Sequence, residues 1–461
     1  MRQKYKPQMS FDDQTFKVLG EIFPVDEELE KMSAALDATS EILDEISGDL
    51  QCDLKETGAE GMTVEQVLRS AIIYQLKGYS YRELSARIAD SYNYRKFTRF
   101  FALPIPHFSN FEKAIKRIRP ETFERINDLM LVHAIKKKLE NGKKLRGDTA
   151  VVETNIHYPT DAGLLWDSVR ILDRLMGGAR KNCPGAEFRY HSRLRSAKKL
   201  CYGITMAKGK DVEARRREYY RGLLKVTREV LEMSRSCRLA LDHDGPDLDE
   251  NFAASLLRSE LDEYIPLAER VIGQCERRVF GGENVSADEK VVSIFEEHTN
   301  IICRGKTMSP AEFGHKVFVA TGASGLVTQY KVCRGNPGDS ELFPEMLEKH
   351  VDKFGAAPKK FAGDRRFWSA ANENLAAEEP FNVERISIPR PGYRNTGRRA
   401  LEKESWFKIL QRFRAGIEGN LSTLLRSFGL TRCLWRGWES FQCWVGLSIF
   451  AYNLRKIAAL T

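Results

Sequence analysis

The stretch "KKLRGDTAVVETN" (143–155) constrains this chain of 461 residues more than any other. It is short, rich in β-branched residues and ended by polar ones, so it reads as a strand. Asp148 interrupts it. An aspartate inside such a strand is costly unless it is hydrogen-bonded or bound to a cation. Strand signals return only at "HKVFVATGASGLVTQYKVC" (315–333), where two β-rich runs flank "GASG" as a hairpin. Between the two lies a block with helical patterning, 162–292, carrying "GLLWDSVRILDRLM", "VEARRREYYRGLLKVTREVLEM" and "LDEYIPLAERVIGQ".

Beyond the hairpin the elements alternate. "NPGDSELFPEMLEKHVDKFG" reads as a turn and a helix, and "KKFAGDRRF" as a short strand ending at Asp364. "SAANENLAAEE" is a helix, "VERISIPR" a strand, and "SWFKILQRFRAGIEGNLSTLLRSFG" a helix closed by Gly429. The Trp-rich tail reads as a last packed helix. With the helical block set aside, three antiparallel strands precede αβαβα, the element order of an RNase H-like fold. The expected class is α/β. An RNase H-like core with a mixed five-stranded sheet and flanking helices takes 141–161 and 293–461. A mainly helical, basic insertion takes 162–292, after the first strand.

The N-terminal part reads as all-α. Residues 26–47 place Leu29, Met32, Leu36, Leu43 and Ile46 near one face of a single acidic helix, to pack on the core or on a second subunit. The segment 1–60 is thus a candidate oligomerisation element. Residues 61–140 carry three capping-box patterns, Thr63 with Gln66, Ser80 with Glu83 and Ser109 with Glu112, and Gly78 closes the first helix. Short helices with a basic third one resemble a helix-turn-helix arrangement. Asn110, Lys113, Lys116 and Arg117 would line its outer side, where a recognition helix meets bases and phosphates. A helical bundle with a polar face is the alternative.

Charge is unevenly spread. The net charge is +9, yet residues 11–60 hold fifteen acids against three bases, and residues 188–238 hold fifteen bases against five acids. The second stretch suits a polyanion or forms a solvated helix face. No run of about 18 apolar residues suggests a spanning helix, and no signal-peptide pattern is visible, so a cytoplasmic location is expected. Nine scattered cysteines without a Cys-x-x-Cys pattern fit neither a disulfide framework nor a zinc template.

Three acids occupy related places: Asp148 in the first strand, Asp364 at the end of the fourth, and Glu418 on the helix after the fifth. In this topology they would converge. Carboxylates without matching His or Cys suit Mg²⁺ or Mn²⁺, and two such ions can activate an attacking oxygen and stabilise a leaving one on phosphorus. Ile417, Leu421, Leu424 and Phe428 form the buried stripe of the last helix, with Glu418 at its edge and Arg414 one turn before it. Asp161 reads as an N-cap or supporting acid, and Glu153 and His157 are local candidates.

"LRGDTAVVETNIHYPTDAGLLWDSVRIL", "EFGHKVFVA", "GNPGDSELF", "FAGDRRFWSAAN" and "RFRAGIEGNLSTLLRSFGL" together resemble the ordered blocks of DDE transposases of bacterial insertion sequences, in the group with a YREK signature. Segment 63–131 resembles their N-terminal helical domain. The resemblance implies a DNA endonuclease that cuts at terminal inverted repeats and transfers strands to target DNA. It also implies a homodimer or larger synaptic complex working in the bacterial cytoplasm at the nucleoid. Asp148, Asp364 and Glu418 would be catalytic and hold two Mg²⁺ or Mn²⁺ ions. Arg414 matches the signature arginine and would face DNA, with Arg412 and Arg426 as further phosphate contacts. Trp368 would stack on a base, or else belong to the core. The signature tyrosine and lysine positions hold Gln411 and Leu425. Arg366 stands where glycine is frequent and is expected to disfavour a left-handed turn. A DNA-binding protein without catalysis and a plain RNase H-like nuclease are the alternatives.

Overall fold

A computed structural model of the chain describes residues 3–5, 23–51, 61–242, 248–303 and 311–461, with single positions 14, 16, 18 and 20. Most of 1–22 and all of 52–60, including the start of the break that follows the acidic segment, lie outside the described residues. Two compact units emerge, 1–155 with 314–461, and 156–313. The helices are α1 (Glu27–Asp37), α2 (Glu41–Gln51), α3 (Val64–Lys77), α4 (Tyr81–Asp90), α5 (Tyr92–Phe97), α6 (Phe108–Ile115) and α7 (Pro120–Lys136) before strand β1 (Lys144–Glu153). Helices α8 (Asp161–Asn182), α9 (Leu194–Met206), α10 (Val212–Ala240) and α11 (Leu248–Cys275) follow. The chain then runs through β2 (Glu312–Thr321), β3 (Val327–Val332), α12 (Phe343–Phe354), β4 (Lys360–Ala362), α13 (Ala370–Ala377), β5 (Arg385–Ser387), α14 (Thr396–Lys403), α15 (Ser405–Ser427) and α16 (Trp438–Leu460). No helix among the described residues is long and apolar enough to cross a membrane.

Local signals account for several helix starts. The Thr63–Gln66 and Ser80–Glu83 capping boxes both form, and Gly78 closes α3 at φ +64°. Two expectations differ. The acidic helix is broken into α1 and α2, and the Thr39 hydroxyl donates to Ala35 O at 3.0 Å in the gap. Such local side-chain bonds compete with helix continuation. The Ser109–Glu112 box does not form, because α6 begins two residues earlier, with His107 at its N-cap, and Glu112 pairs with Lys116 at 2.7 Å.

Helix α16 is apolar on nearly every side, the pattern of a helix buried all round, and it is buried along most of its length. Its Phe441, Val445, Ile449 and Phe450 share one core with Val67, Ile72, Phe123 and Ile126. Gln75 Nε2 donates to Phe428 O at 2.7 Å and to Ser448 Oγ at 2.8 Å, tying α3 to the C-terminal helices. The helices of 61–140 thus share one core with α16.

Within this unit the strand order is β3–β2–β1–β4–β5, with β1, β2 and β3 antiparallel in turn and β4 and β5 parallel to β1. This is the mixed five-stranded sheet expected of the RNase H-like arrangement. One face packs Leu145, Phe318, Phe343, Met346 and Phe361 around α12. The turn between β2 and β3 uses Gly325 at φ +82°, which glycine adopts without strain.

The second unit is a helical bundle with its own core, including Leu165, Leu172, Met176, Leu223, Val230 and Val271. It also holds a three-residue strand, Asn300–Ile302. It spans 156–313, wider than the 162–292 expected, because the polar segments on both sides of the helices pack with them; Val291 and Ile294 belong to the bundle core.

Candidate active site

Register places the first two acids. Strands β1 and β4 run parallel with Arg146 opposite Ala362, and Asp148 and Asp364 each lie two residues past that pair. Parallel neighbours about 4.8 Å apart thus bring Asp148, inside β1, beside Asp364, just past the end of β4, and the two carboxylates interact. Period-2 alternation puts Arg146 and Asp148 on one face, and α15 crosses that face. The Arg146 guanidinium donates to Phe413 O and to Thr321 Oγ1 (2.9 Å) and lies 4.5 Å over the Phe413 ring. Burial pushes its pKa down. A side chain at Gly416 would collide with this guanidinium, so the first glycine of "RFRAGIEGN" permits the close approach of helix to strand.

Arg414 brings in the third acid. Its Nη2 donates to Asp148 Oδ2 at 3.1 Å and its Nη1 to Glu418 Oε1 at 2.9 Å. Gln411, three residues earlier, donates from Nε2 to Gly363 O (3.2 Å), Ser387 O (2.7 Å) and Ser387 Oγ (2.9 Å). It therefore staples α15 to the ends of β4 and β5, against the residue that precedes Asp364. Asp364 accepts from Arg366 N at 2.8 Å and caps a short 3₁₀ turn over Arg365–Phe367. No left-handed residue occurs there. The strain expected at Arg366 is absent, because a right-handed turn suits any L-residue.

Burial is the main cause that raises the Asp148 carboxyl above its usual range. The Thr149 N–H and Arg414 oppose it, and Asp364 and Asp339 add to it. Asp339, which sequence reasoning passed over, is buried on the other side of the strand. It accepts from Thr149 Oγ1 at 3.2 and 3.3 Å and from Lys316 Nζ at 3.0 Å. Its signal was a lysine inside the strand "HKVFVA", which requires a buried acid to answer it. Oxygen donors alone, with Asp148 buried beside Asp364, fit a hard divalent cation. The expected convergence is incomplete, however. Among the described residues no three His, Cys, Asp or Glu side chains are placed to share one ion. Glu418 is largely exposed and reaches Asp148 only through Arg414, whose guanidinium supplies the positive charge between them.

The remaining candidates are scattered. Glu153 pairs with Arg432 at 2.6 Å, outside the acid pair. Asp161 and His157 lie in the other unit. Asp161 is not an N-cap: Thr160 caps α8, and Asp161 binds Arg278 (2.9 Å) and Gln274 (3.3 Å). His157 lies 3.4 Å from Asp167. Trp368 packs against the apolar cluster of α12, with the Arg390 guanidinium 4.8 Å over its ring, where a base would stack. Arg412 and Arg426 are exposed on α15, and Leu425 packs against the main core. Asn110, Lys113, Lys116 and Arg117 are all exposed, the first two on α6 and the last two just past its end.

Residues 286–454 match the family described as "Transposase DDE domain", and residues 17–117 match "Transposase domain (DUF772)". No curated protein and no solved structure matches the chain. The first match contains Asp364, Gln411, Arg414 and Glu418. Asp148 falls outside both, so its membership of the site rests on strand register and on Arg414. The chain carries a transposase DDE domain, the enzyme module of DNA transposition, behind an N-terminal transposase domain.

Proposed function

We propose that this chain cuts DNA at the ends of a mobile element and joins them to target DNA, in the manner of the YREK-group insertion-sequence transposases it resembles. The observation that carries the proposal is Asp148 on β1 beside Asp364 just past the end of the parallel neighbour β4, with Glu418 linked to Asp148 through Arg414. Asp148, Asp364 and Glu418 would hold Mg²⁺ or Mn²⁺, two ions in the family pattern, which supply charge neutralisation at the attacked phosphate. The chain's own residues do the positioning. Gln411 and Arg146 hold α15 on the sheet, and Arg414 keeps Glu418 and Asp148 on one guanidinium. A DNA phosphate arriving at Arg414 would take over that guanidinium and release both carboxylates.

In strand transfer a DNA 3′-oxygen bonds to a target phosphorus as the bridging P–O3′ bond breaks, so no protein nucleophile is required. The exposed Asn110, Lys113, Lys116 and Arg117 support recognition of double-stranded terminal repeats, and Arg412 and Arg426 support phosphate contact near the acids. Joining two ends calls for a homodimer or larger synaptic complex.

The test is incubation with an end-containing duplex and Mg²⁺. Nicked and strand-transferred products are expected from the wild type and not from Asp364→Ala. Cutting without transfer would make the chain a plain nuclease. Footprinting without any metal-dependent cut would favour a non-catalytic DNA-binding protein, a reading that the Arg414 bridge and the departures at Gln411 and Leu425 support.

A further inference from the structure

The basic stretch of the second unit is not uniform. Of its fifteen lysines and arginines, five have a carboxylate partner. Arg193 pairs with Glu229, Arg216 with Glu213, Arg228 with Glu276, Arg235 with Glu232 and Glu269, and Arg238 with Asp242 and Asp262. Three of these arginines stand in the C-terminal half of α10, where α11 and the turn after it supply acids. The other ten make no ion pair among the described residues, and only Asp211 and Glu218 remain as unpaired acids in the stretch.

Six of the ten form two rows. Arg195, Lys198 and Lys199 lie within about one turn of α9, and Arg217, Arg221 and Lys225 follow an i, i+4, i+8 spacing along α10; all six are exposed. The helices meet where Gly203 faces Tyr219 and Gly222 faces Leu200, so Lys199 and Arg221 each sit one residue before that contact. Tyr202, 63% exposed, stands one turn after Lys198. An exposed aromatic among uncompensated cations is what a nucleic-acid surface presents to phosphates and sugars.

We infer that the α9–α10 face is a second, sequence-independent contact for the backbone of double-stranded DNA, distinct from the exposed residues at α6 and from the acid pair. The transposase reading enters only in choosing duplex DNA as the polyanion. Lysine and arginine rows without buried acceptors read phosphate rather than bases, and each phosphate neutralised steepens the dependence of binding on salt.

The experiment uses the full chain, a random-sequence duplex lacking element ends, and no divalent cation. The triple variant Arg195→Gln, Lys199→Gln, Arg221→Gln is compared with Arg228→Gln, Arg235→Gln, Arg238→Gln, which removes the same formal charge from paired positions. The first should weaken binding about tenfold or more and flatten the slope of log K against log salt by about 2–3, at roughly 0.9 per phosphate contact. The second should change affinity less than about threefold with an unaltered slope. Circular dichroism should show both variants folded, and Arg195→Lys with Arg221→Lys should keep the wild-type slope. Equal losses in the two triples would reduce the effect to net charge and overturn the inference, as would no loss in the first. Metal-dependent cleavage by the wild type, followed in parallel, is a separate readout: its absence would sink the transposase reading and leave this surface standing.

Discussion

The acid corner of the sheet and the α9–α10 face both concentrate charge, and they handle it in opposite ways. At the corner, Asp148 is held above its ordinary carboxyl range by burial, and each charged neighbour is committed: Arg414 to two acids, Arg146 to backbone and ring, Lys316 to Asp339. On the basic face the six exposed cations have no carboxylate partner among the described residues, and Arg221 alone of them lies over a ring, that of Phe280. The difference is dielectric. A buried charge without a partner costs several kcal/mol, so the fold fixes one geometry for it, whereas an exposed charge acts through its field and is screened by salt. The corner is therefore suited to position atoms, and the face to attract a polymer.

Substitutions can break this contrast. The largest effect is expected at the acids: Asp364→Ala should lower DNA cleavage by about a thousandfold or more, the several kcal/mol that a bound cation supplies to phosphoryl chemistry, while DNA affinity stays within severalfold. Comparable cleavage by this variant would remove Asp364 from the site. Next is Arg146→Ala, which strips donors from Phe413 O and Thr321 and the packing under α15. A loss of about 2–4 kcal/mol is expected in denaturant melts; a change under about 1 kcal/mol would mean that the helix is held elsewhere.

His350 tests burial without a catalytic role. Its Nε2 donates to Gly142 O at 2.9 Å, and burial lowers its pKa to about 4. The folded value lies below the unfolded one of about 6.5, so this contribution is fully present above that pH and declines as pH falls toward 4. A loss of about 2–3 kcal/mol over that window is expected, and His350→Gln should flatten it. Identical pH profiles for the two proteins would contradict the assignment. Gln411→Leu should cost about 1–2 kcal/mol and reduce the turnover number more than it raises KM, since it frees the segment before Asp364. An equal effect on both constants would argue for a merely structural role. Smallest of all, Arg235→Gln on the solvated side should shift stability by less than about 1 kcal/mol despite its two acidic partners. A larger loss would show that the exposed pairs matter as the buried ones do.

Much of the fold was legible because the signals are local. The caps at Thr63 and Ser80, the stop at Gly78, the β-branched run around Asp148 and the hairpin glycine each act within a few residues. What stayed illegible was decided by competing local bonds or by distant partners. The break between α1 and α2 lies inside an unbroken amphipathic pattern, and the His107 cap displaced a well-formed Ser109–Glu112 pattern. The short α14 buries no residue that would mark it as a packed element. Gln411 read as a departure from a signature; only its three acceptors on β4 and β5 show what it holds.

The sequence by itself determined the order of strands and helices and the three acids in that order, because alternation and capping are properties of adjacent residues. Tertiary structure alone decided how those acids relate. Register made Asp148 and Asp364 neighbours across 216 residues of chain, and it buried Asp339 behind them. It also set Arg414 between Asp148 and Glu418, and joined the N-terminal helices to α16 in one core. Proximity between distant residues is created when the sheet closes and water leaves, and no local pattern encodes it.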